Sequence, residues 1–153
     1  MQHSKEARRV MATFIVKAQK EHGLFLTSSG GALMEDVKAI FLSFGLEKRV
    51  KVEEARELYV KIAKELLAEI NADEGVRPYL RKYPFDMNDI KLGLSFYDGY
   101  PNEVPKEYVA YVFYVKGILY YSKKDPKELG LSDLAEESFS EAVRKVEASK
   151  KKK

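Results

Sequence analysis

Basic and aromatic side chains are concentrated in one short stretch of the chain, GVRPYLRKYPF, at residues 75–85. The basic groups of Arg77, Arg81 and Lys82 could pair with acidic residues or cap helix carbonyls. The side chains of Tyr79 and Tyr83, with Leu80 and Phe85, could close over the open edge of the core. Two prolines force the residues before them into extended backbone, so that the stretch has a fixed shape. A rigid connector that closes the core is favoured over a binding motif, because such aromatic residues usually pack against the protein itself.

A second candidate site is the segment TSSGGA, residues 27–32, which follows a short apolar run. Its hydroxyls and glycines could form a turn whose backbone N–H groups hold an anion. The spacing matches neither the phosphate-binding loop of nucleotidases nor the dinucleotide-binding turn, so a flexible turn without a ligand is favoured. The members of this candidate anion site are Ser28, Ser29, Gly30 and Gly31.

The sequence contains few residues of the types that catalysis or metal binding usually requires. The chain has no cysteine, which excludes disulfides, thiolate catalysis and cysteine metal sites. Its two histidines, His3 and His22, fit neither a zinc-protease motif nor the order of a serine triad. Many carboxylates lie on predicted helix surfaces one turn from a lysine, which is typical of a solvated face. The sequence therefore predicts no catalytic residue, no metal ligand and no cofactor.

Tyrosine is abundant in the segment YVAYVFYV, residues 108–115, and in the segment ILYYS soon after it. The first segment partly matches the RNA-recognition strand motif, but the Lys/Arg-Gly pair is missing and Val109 stands where an aromatic residue is required. Single-stranded RNA binding is therefore a minor alternative. An exposed aromatic platform for a sugar, a peptide or a partner sheet stays open, and so does a homodimer. The members of this platform would be Tyr108, Tyr111, Tyr120 and Tyr121.

Apolar periodicity predicts the order α-β-β-α-β-β-β-α in a single α+β domain over residues 1–149. The helices are predicted between Ser4 and Gly23, from Val52 to Asn71, and from Ser132 onward. The strands are predicted at residues 24–27, 37–44, 90–97, 108–115 and 118–122. Short connections between the last three strands indicate a mainly antiparallel sheet of about four or five strands, packed by the long central helix and the two terminal helices. The lysine tail, residues 150–153, is expected to be disordered.

The net charge of +3 comes from the C-terminal tail rather than from a basic face. Lys150 to Lys153 supply four of the 27 basic residues, and the remaining 23 are balanced by 24 acidic residues. This balance favours a protein partner over nucleic acid. The sequence has no apolar run of about 18 residues, so no membrane span is expected. The N-terminus lacks a secretory signal, which indicates a cytoplasmic protein, or an exported one from which a leader has been removed.

The stretch INADEGVRPYLRKYPF, residues 70–85, resembles a connector found in a family of uncharacterised bacterial proteins from chlamydia-like and other intracellular bacteria. The segments ARELYV and LSF, at residues 55–60 and 42–44, are similar to that family as well. Many members carry an export leader, so the resemblance implies export. The family has no known activity, and the resemblance therefore implies no catalytic residue.

Three functions follow from these observations. The favoured one is a non-enzymatic interaction or structural module, with Arg77, Tyr79, Arg81 and Tyr83 as its candidate contact residues. The first alternative is a small-molecule-binding or enzymatic domain that uses arginine, tyrosine and carboxylates in a cleft. The second alternative is the binding of single-stranded RNA through the tyrosine-rich strands. The lysine- and glutamate-rich composition would also suit a redesigned sequence.

Overall fold

The computed structural model describes residues 1–97, 108–125 and 130–151. Within these ranges the chain forms three α-helices, α1 (Gln2–His22), α2 (Val52–Ala72) and α3 (Phe139–Lys151). Helix α1 ends at Gly23, whose φ of 68° is left-handed and whose N–H donates to Gln19 O at 3.0 Å. A glycine is favoured here because it has no Cβ to clash in this conformation. The predicted C-terminus of the first helix is therefore confirmed.

Six strands form one sheet in the order β1-β2-β3-β4-β5-β6. They are β1 (Phe25–Ala32), β2 (Ala39–Glu47), β3 (Ile90–Tyr97), β4 (Tyr111–Val115), β5 (Ile118–Asp125) and β6 (Gly130–Ser138). Strands β2 and β3 are parallel, because the crossover through α2 returns the chain in the same direction, and the other neighbouring pairs are antiparallel. The α+β class and the mostly antiparallel sheet are confirmed, but the sheet has six strands rather than four or five.

Residues 77–79 form a short 3-10 helix rather than the extended backbone expected before Pro78. Two longer segments also differ from the sequence prediction. Residues 27–32 are not a turn, because β1 continues to Ala32 and pairs with β2 as far as Ala39. Residues 132–138 are not helical, because β6 pairs with β5 along its whole length. The last helix starts at Phe139, and Ser138 rather than Ser132 accepts the N–H of Glu141 at its start. In both places, hydrogen bonding to a neighbouring strand outweighs local preference.

The core lies between the sheet and the helices. On β2 and β3 the even-numbered side chains are buried, except for the half-buried Leu46, and the ring of Phe14 on α1 meets that of Phe44 on β2 at 6.1 Å between centroids. Helix α2 reaches β3 directly, because the buried Tyr59 hydroxyl donates to Leu92 O at 2.7 Å. On α3, Phe139 packs edge-on against Tyr114 of β4. The three helices therefore cover the same face of the sheet, which we call the inner face.

Two predicted features lie wholly or partly outside the described residues. They are the loop at residues 98–106 and the lysine tail, of which residues 152 and 153 are not described, whereas α3 is described as far as Lys151. The predicted turn at Lys116 and Gly117 is confirmed, and both residues have positive φ, at 44° and 91°, as a two-residue hairpin turn requires. Among the helices of the described ranges, none has the length and hydropathy needed to span a membrane.

Candidate functional site: the open face of the sheet

The sheet face opposite the helices carries a cluster of aromatic rings. Side chains alternate between the two faces of a strand, so the odd-numbered residues of β2, β3 and β4 point away from the inner face. The register aligns Gly93, Phe113 and Tyr120 in one row across three strands, and it pairs Ser95 with Tyr111. We call this surface the open face.

Three rings on the open face stack on one another, and we call Tyr111, Phe113 and Tyr120 the ring stack. The centroids of Tyr111 and Phe113 are 5.4 Å apart, and those of Phe113 and Tyr120 are 5.2 Å apart. All three side chains are half-buried, so part of each ring remains accessible to solvent. Such a stack offers a flat, polarisable surface to another ring or to an apolar group.

Beside the ring stack, strands β3 and β4 separate. Their register runs from the pair Ser95 and Tyr111 to the pair Gly93 and Phe113, and the first residues of β3 have no β4 partner in it. A depression of about 850 Å³ lies there, and we call it the strand slot. Its lining residues include Ile90, Lys91 and Leu92 of β3, together with Tyr111, Phe113, Tyr114 and Val115 of β4.

Hydrogen bonds from side chains help to hold the slot in shape. The Tyr59 hydroxyl from α2 satisfies Leu92 O, and burial raises the pKa of Tyr59 far above its usual value. This phenol therefore stays protonated and remains a donor. At the end of the slot, the Tyr114 hydroxyl donates to Asn88 Oδ1 at 2.8 Å. The slot is thus supported from both the helix layer and the β3 side.

Gly93 is the reason that a ring can lie across β3. A Cβ added to Gly93 would collide with the Tyr111 hydroxyl and would lie 3.0 Å from Ser43 Oγ. The missing side chain leaves space for the hydroxyl groups of Tyr111 and Ser43 beside Gly93. Lys91 Nζ lies over the Phe41 ring at 4.8 Å and adds a positive charge nearby.

The sequence-predicted connector residues lie elsewhere, between α2 and β3. Arg77 lies over the ring of Tyr83 at 4.9 Å and donates to Asn71 O at 3.0 Å. Arg81 pairs with both carboxylate oxygens of Asp36 at 3.0 Å. Tyr79 is half-buried against the core, and its carbonyl accepts the N–H of Val37 at 2.9 Å. The structure brings these residues together at the surface, where the exposed Arg77 and Arg81 contact other groups of the same chain.

The connector is anchored by α2 as well. The Asn71 side chain accepts from Phe85 N at 2.8 Å and donates to Phe85 O at 3.0 Å. Phe85 itself is buried in the core. Lys82 lies between the carboxylates of Asp86 and Asp89 at 2.7 and 2.9 Å. These contacts are those of a connector that fixes α2 against the sheet.

The candidate anion site has a different structure from the expected one. Ser28, Ser29, Gly30 and Gly31 are successive residues of β1, paired with β2. Successive N–H groups in a strand point in opposite directions, so they do not converge on one ion. The favoured expectation of a flexible turn at these residues is therefore wrong, and the anion-binding alternative lacks the converging N–H groups that it requires. None of these residues, and none of the connector residues, is among those that line the strand slot.

The tyrosine platform is observed in part. Tyr111 and Tyr120 belong to the ring stack, but Tyr121 is fully buried on the inner face. Tyr108 lies apart, with Arg49 and Lys51 near its ring. Sequence reasoning missed Phe113, Gly93 and Ser43, although alternation along β3 and β4 is the signal that places them together. Aromatic residues on both faces of β4 obscured that signal.

Two polar clusters on the helix side hold elements together. Glu137 of β6 accepts from Arg56 Nε at 2.7 Å, the Tyr121 hydroxyl at 2.6 Å and Lys145 Nζ at 2.8 Å. Between α1 and α2, His22 Nε2 lies 2.8 Å from Glu65 Oε2. With Glu21, this pair provides three potential metal-ligating atoms within 4.8 Å of one another. In both clusters, the polar side chains of one element form ion pairs or hydrogen bonds with those of another element. The clusters therefore connect elements of the fold.

No protein-family model, no curated protein and no solved structure matches this chain. The family resemblance carried by the connector therefore stays a prediction. The arguments for function below rest on the geometry of the open face.

Proposed function

We propose that the protein is a non-enzymatic interaction module that binds a partner protein at the strand slot and ring stack. The observation that carries the proposal is a depression of about 850 Å³, lined by residues from both faces of β3 and β4, beside three stacked rings on the open face. Its volume is in the range of ligand pockets, and an aromatic or large apolar side chain of a partner fits its chemistry.

The polar groups of the slot support binding rather than catalysis. Asp133 is the carboxylate among the described lining residues, and no histidine is among them. General acid–base chemistry needs a positioned pair of groups with matched pKa values. The hydroxyls of Ser43 and Tyr111, and the ammonium of Lys91, can instead orient a bound group by hydrogen bonding.

Charge supports a protein partner over RNA. The described residues around the slot include Lys91 and Lys116, but Asp133 lines it too, and Glu136 pairs with Tyr120 at its side. RNA binding through phosphates needs an excess of positive charge. The ring stack nevertheless resembles the sheet platforms on which bases stack, so RNA remains the second candidate.

The experiment is a two-dimensional ¹H–¹⁵N NMR titration of the ¹⁵N-labelled chain. The probes are N-acetyltryptophanamide for a partner side chain, methyl β-glucoside for a sugar, and oligouridine for RNA. The proposal predicts shift changes at Gly93, Tyr111 and Phe113 with the tryptophan probe. Changes confined to the connector or to the helix surfaces would overturn it. Oligouridine binding that weakens steeply with salt would instead establish the RNA alternative.

A matched pair of variants tests whether the ring stack carries the binding. Phe113→Ala removes the central ring and is expected to weaken the binding of N-acetyltryptophanamide. Val16→Ala is the control, because Val16 is exposed on α1 and lies on the far side of the sheet from the stack. The loss of two ring contacts in Phe113→Ala is expected to cost about 1–3 kcal/mol of stability. Thermal melting of both variants therefore checks that they are folded before binding is compared.

A further inference from the structure

Strand β1 is an edge of the sheet with unusual exposure. Its first five residues are all exposed, on both faces of the strand. Phe25 and Leu26 are among the exposed large apolar residues, and so is Met34 just after the strand.

The sequence of β1 lacks the features that usually protect an edge. Residues 25–34, FLTSSGGALM, contain no charged residue and no proline. Natural edge strands are typically blunted by lysine, proline, bulges or a covering element. Strand β1 has one of these features, a bulge at the register shift between Leu26 and Ser28. Beyond the bulge, residues 28–32 pair regularly with β2. By contrast β6, at the other edge, carries the carboxylates Asp133 and Glu136.

We propose that two copies of the chain associate through β1, antiparallel about a two-fold axis, so that their sheets become one continuous sheet. A strand edge is complementary to itself in this arrangement, because each donor on one copy meets an acceptor on the other. A neutral strand brings no like charges together across the axis. This surface is separate from the strand slot, so the inference does not depend on the proposed function.

The regular part of β1 indicates the register. Residues Ser28 to Ala32 are the ones that continue without a bulge, and their midpoint is Gly30. Centring the two-fold axis there places Ser28 of one copy beside Ala32 of the other, twice, with both side chains on the open face. Leu26 lies beyond the bulge and Met34 lies beyond the end of the strand, so both flank the paired segment.

The first test is the mass of the full chain in solution, measured by sedimentation velocity and by light scattering over a range of micromolar concentrations. A dimer is expected, and a monomer at every concentration would overturn the inference. Ser28→Lys and, separately, Ala32→Lys place a long charged side chain at a position that the proposed pairing brings beside the other copy, and each is expected to raise the dimer dissociation constant about tenfold or more. Ser28→Lys is the safer variant for folding, because Ser28 is exposed and Ala32 is half-buried.

A charge-pair rescue tests the register and the identity of the partner. Combining Ser28→Lys with Ala32→Glu places an ammonium on one copy beside a carboxylate on the other, and the dimer is expected to return. Val16→Lys is the control, because it adds the same charge at an exposed apolar site outside β1. A dimer that Ser28→Lys and Ala32→Lys both leave intact, or that Val16→Lys dissociates equally, would place the interface elsewhere and overturn the inference.

Discussion

Replacing Arg56 by methionine tests how much the polar cluster on the inner face stabilises the fold. Arg56 of α2 meets Glu137 of β6, whose side chain is 9% exposed, and methionine keeps most of the apolar stem while removing the guanidinium. Removing one partner of a buried ion pair costs about 3–5 kcal/mol, because the other charge stays desolvated. Lys145 and the Tyr121 hydroxyl still contact Glu137, so the loss is expected to be smaller, at about 2–3 kcal/mol.

The pH dependence of that loss follows from the ionisation of Glu137. Burial disfavours its charge, but hydrogen bonds from Arg56, Lys145 and Tyr121 outweigh burial and lower the pKa of Glu137 below its ordinary value of 4.5. Its contribution to stability is therefore present above that value and is lost as the pH falls through the lowered pKa. The deficit of Arg56→Met relative to wild type should accordingly shrink in acid.

Urea unfolding at pH 7 and near about pH 3 measures both effects, with thermal melting as a second readout. At neutral pH the expected fall in melting temperature is roughly 5–10 °C for a chain of this size. Arg144→Met is the matched control, because the Arg144 side chain is 73% exposed and pairs with Glu141 on the same helix. That control is expected to change stability by less than about 1 kcal/mol. The reasoning is refuted if both variants lose the same stability, or if the Arg56→Met deficit does not change with pH.

Two further substitutions test the connector and the floor of the site. Asn71→Ala leaves the N–H and C=O of Phe85 without their partners, and urea unfolding should show a loss of about 2 kcal/mol; an unchanged midpoint would contradict the anchoring role. Gly93→Ala should displace the Tyr111 ring and alter its NMR signals, whereas Gly30→Ala, where an added Cβ has ordinary contacts, should leave them unchanged. Equal effects of the two glycine substitutions would show that Gly93 does not hold the ring in place.

Helix positions were predictable because their signals are local. The apolar stripe of α2 and the glycine after α1 act through side chains and backbone close in sequence, and both helices were found within a few residues of their ends. The strands β1 and β6 were misjudged in part because their pairing depends on β2 and β5. A Ser-Gly segment reads as a turn until a neighbouring strand supplies its hydrogen-bond partners.

The connector attracted attention for chemistry because its charges and rings are dense in sequence. Its partners, Asp36 for Arg81 and Asn71 for Phe85, come from other elements, so their pairing could not be read from the stretch itself. The strand slot has the opposite character. It arises where β3 and β4 stop pairing beyond Gly93 and Phe113, and no local motif encodes that separation. The aromatic residues were visible in the sequence, but their common face was not.

The central claim is that the ring stack beside the strand slot is the binding surface. The most direct measurement is the dissociation constant of N-acetyltryptophanamide for Phe113→Ala relative to wild type, from the NMR titration. Loss of one aromatic contact worth about 1 kcal/mol predicts an increase of about fivefold, with no change for Val16→Ala. Equal dissociation constants for wild type and a folded Phe113→Ala would contradict the claim.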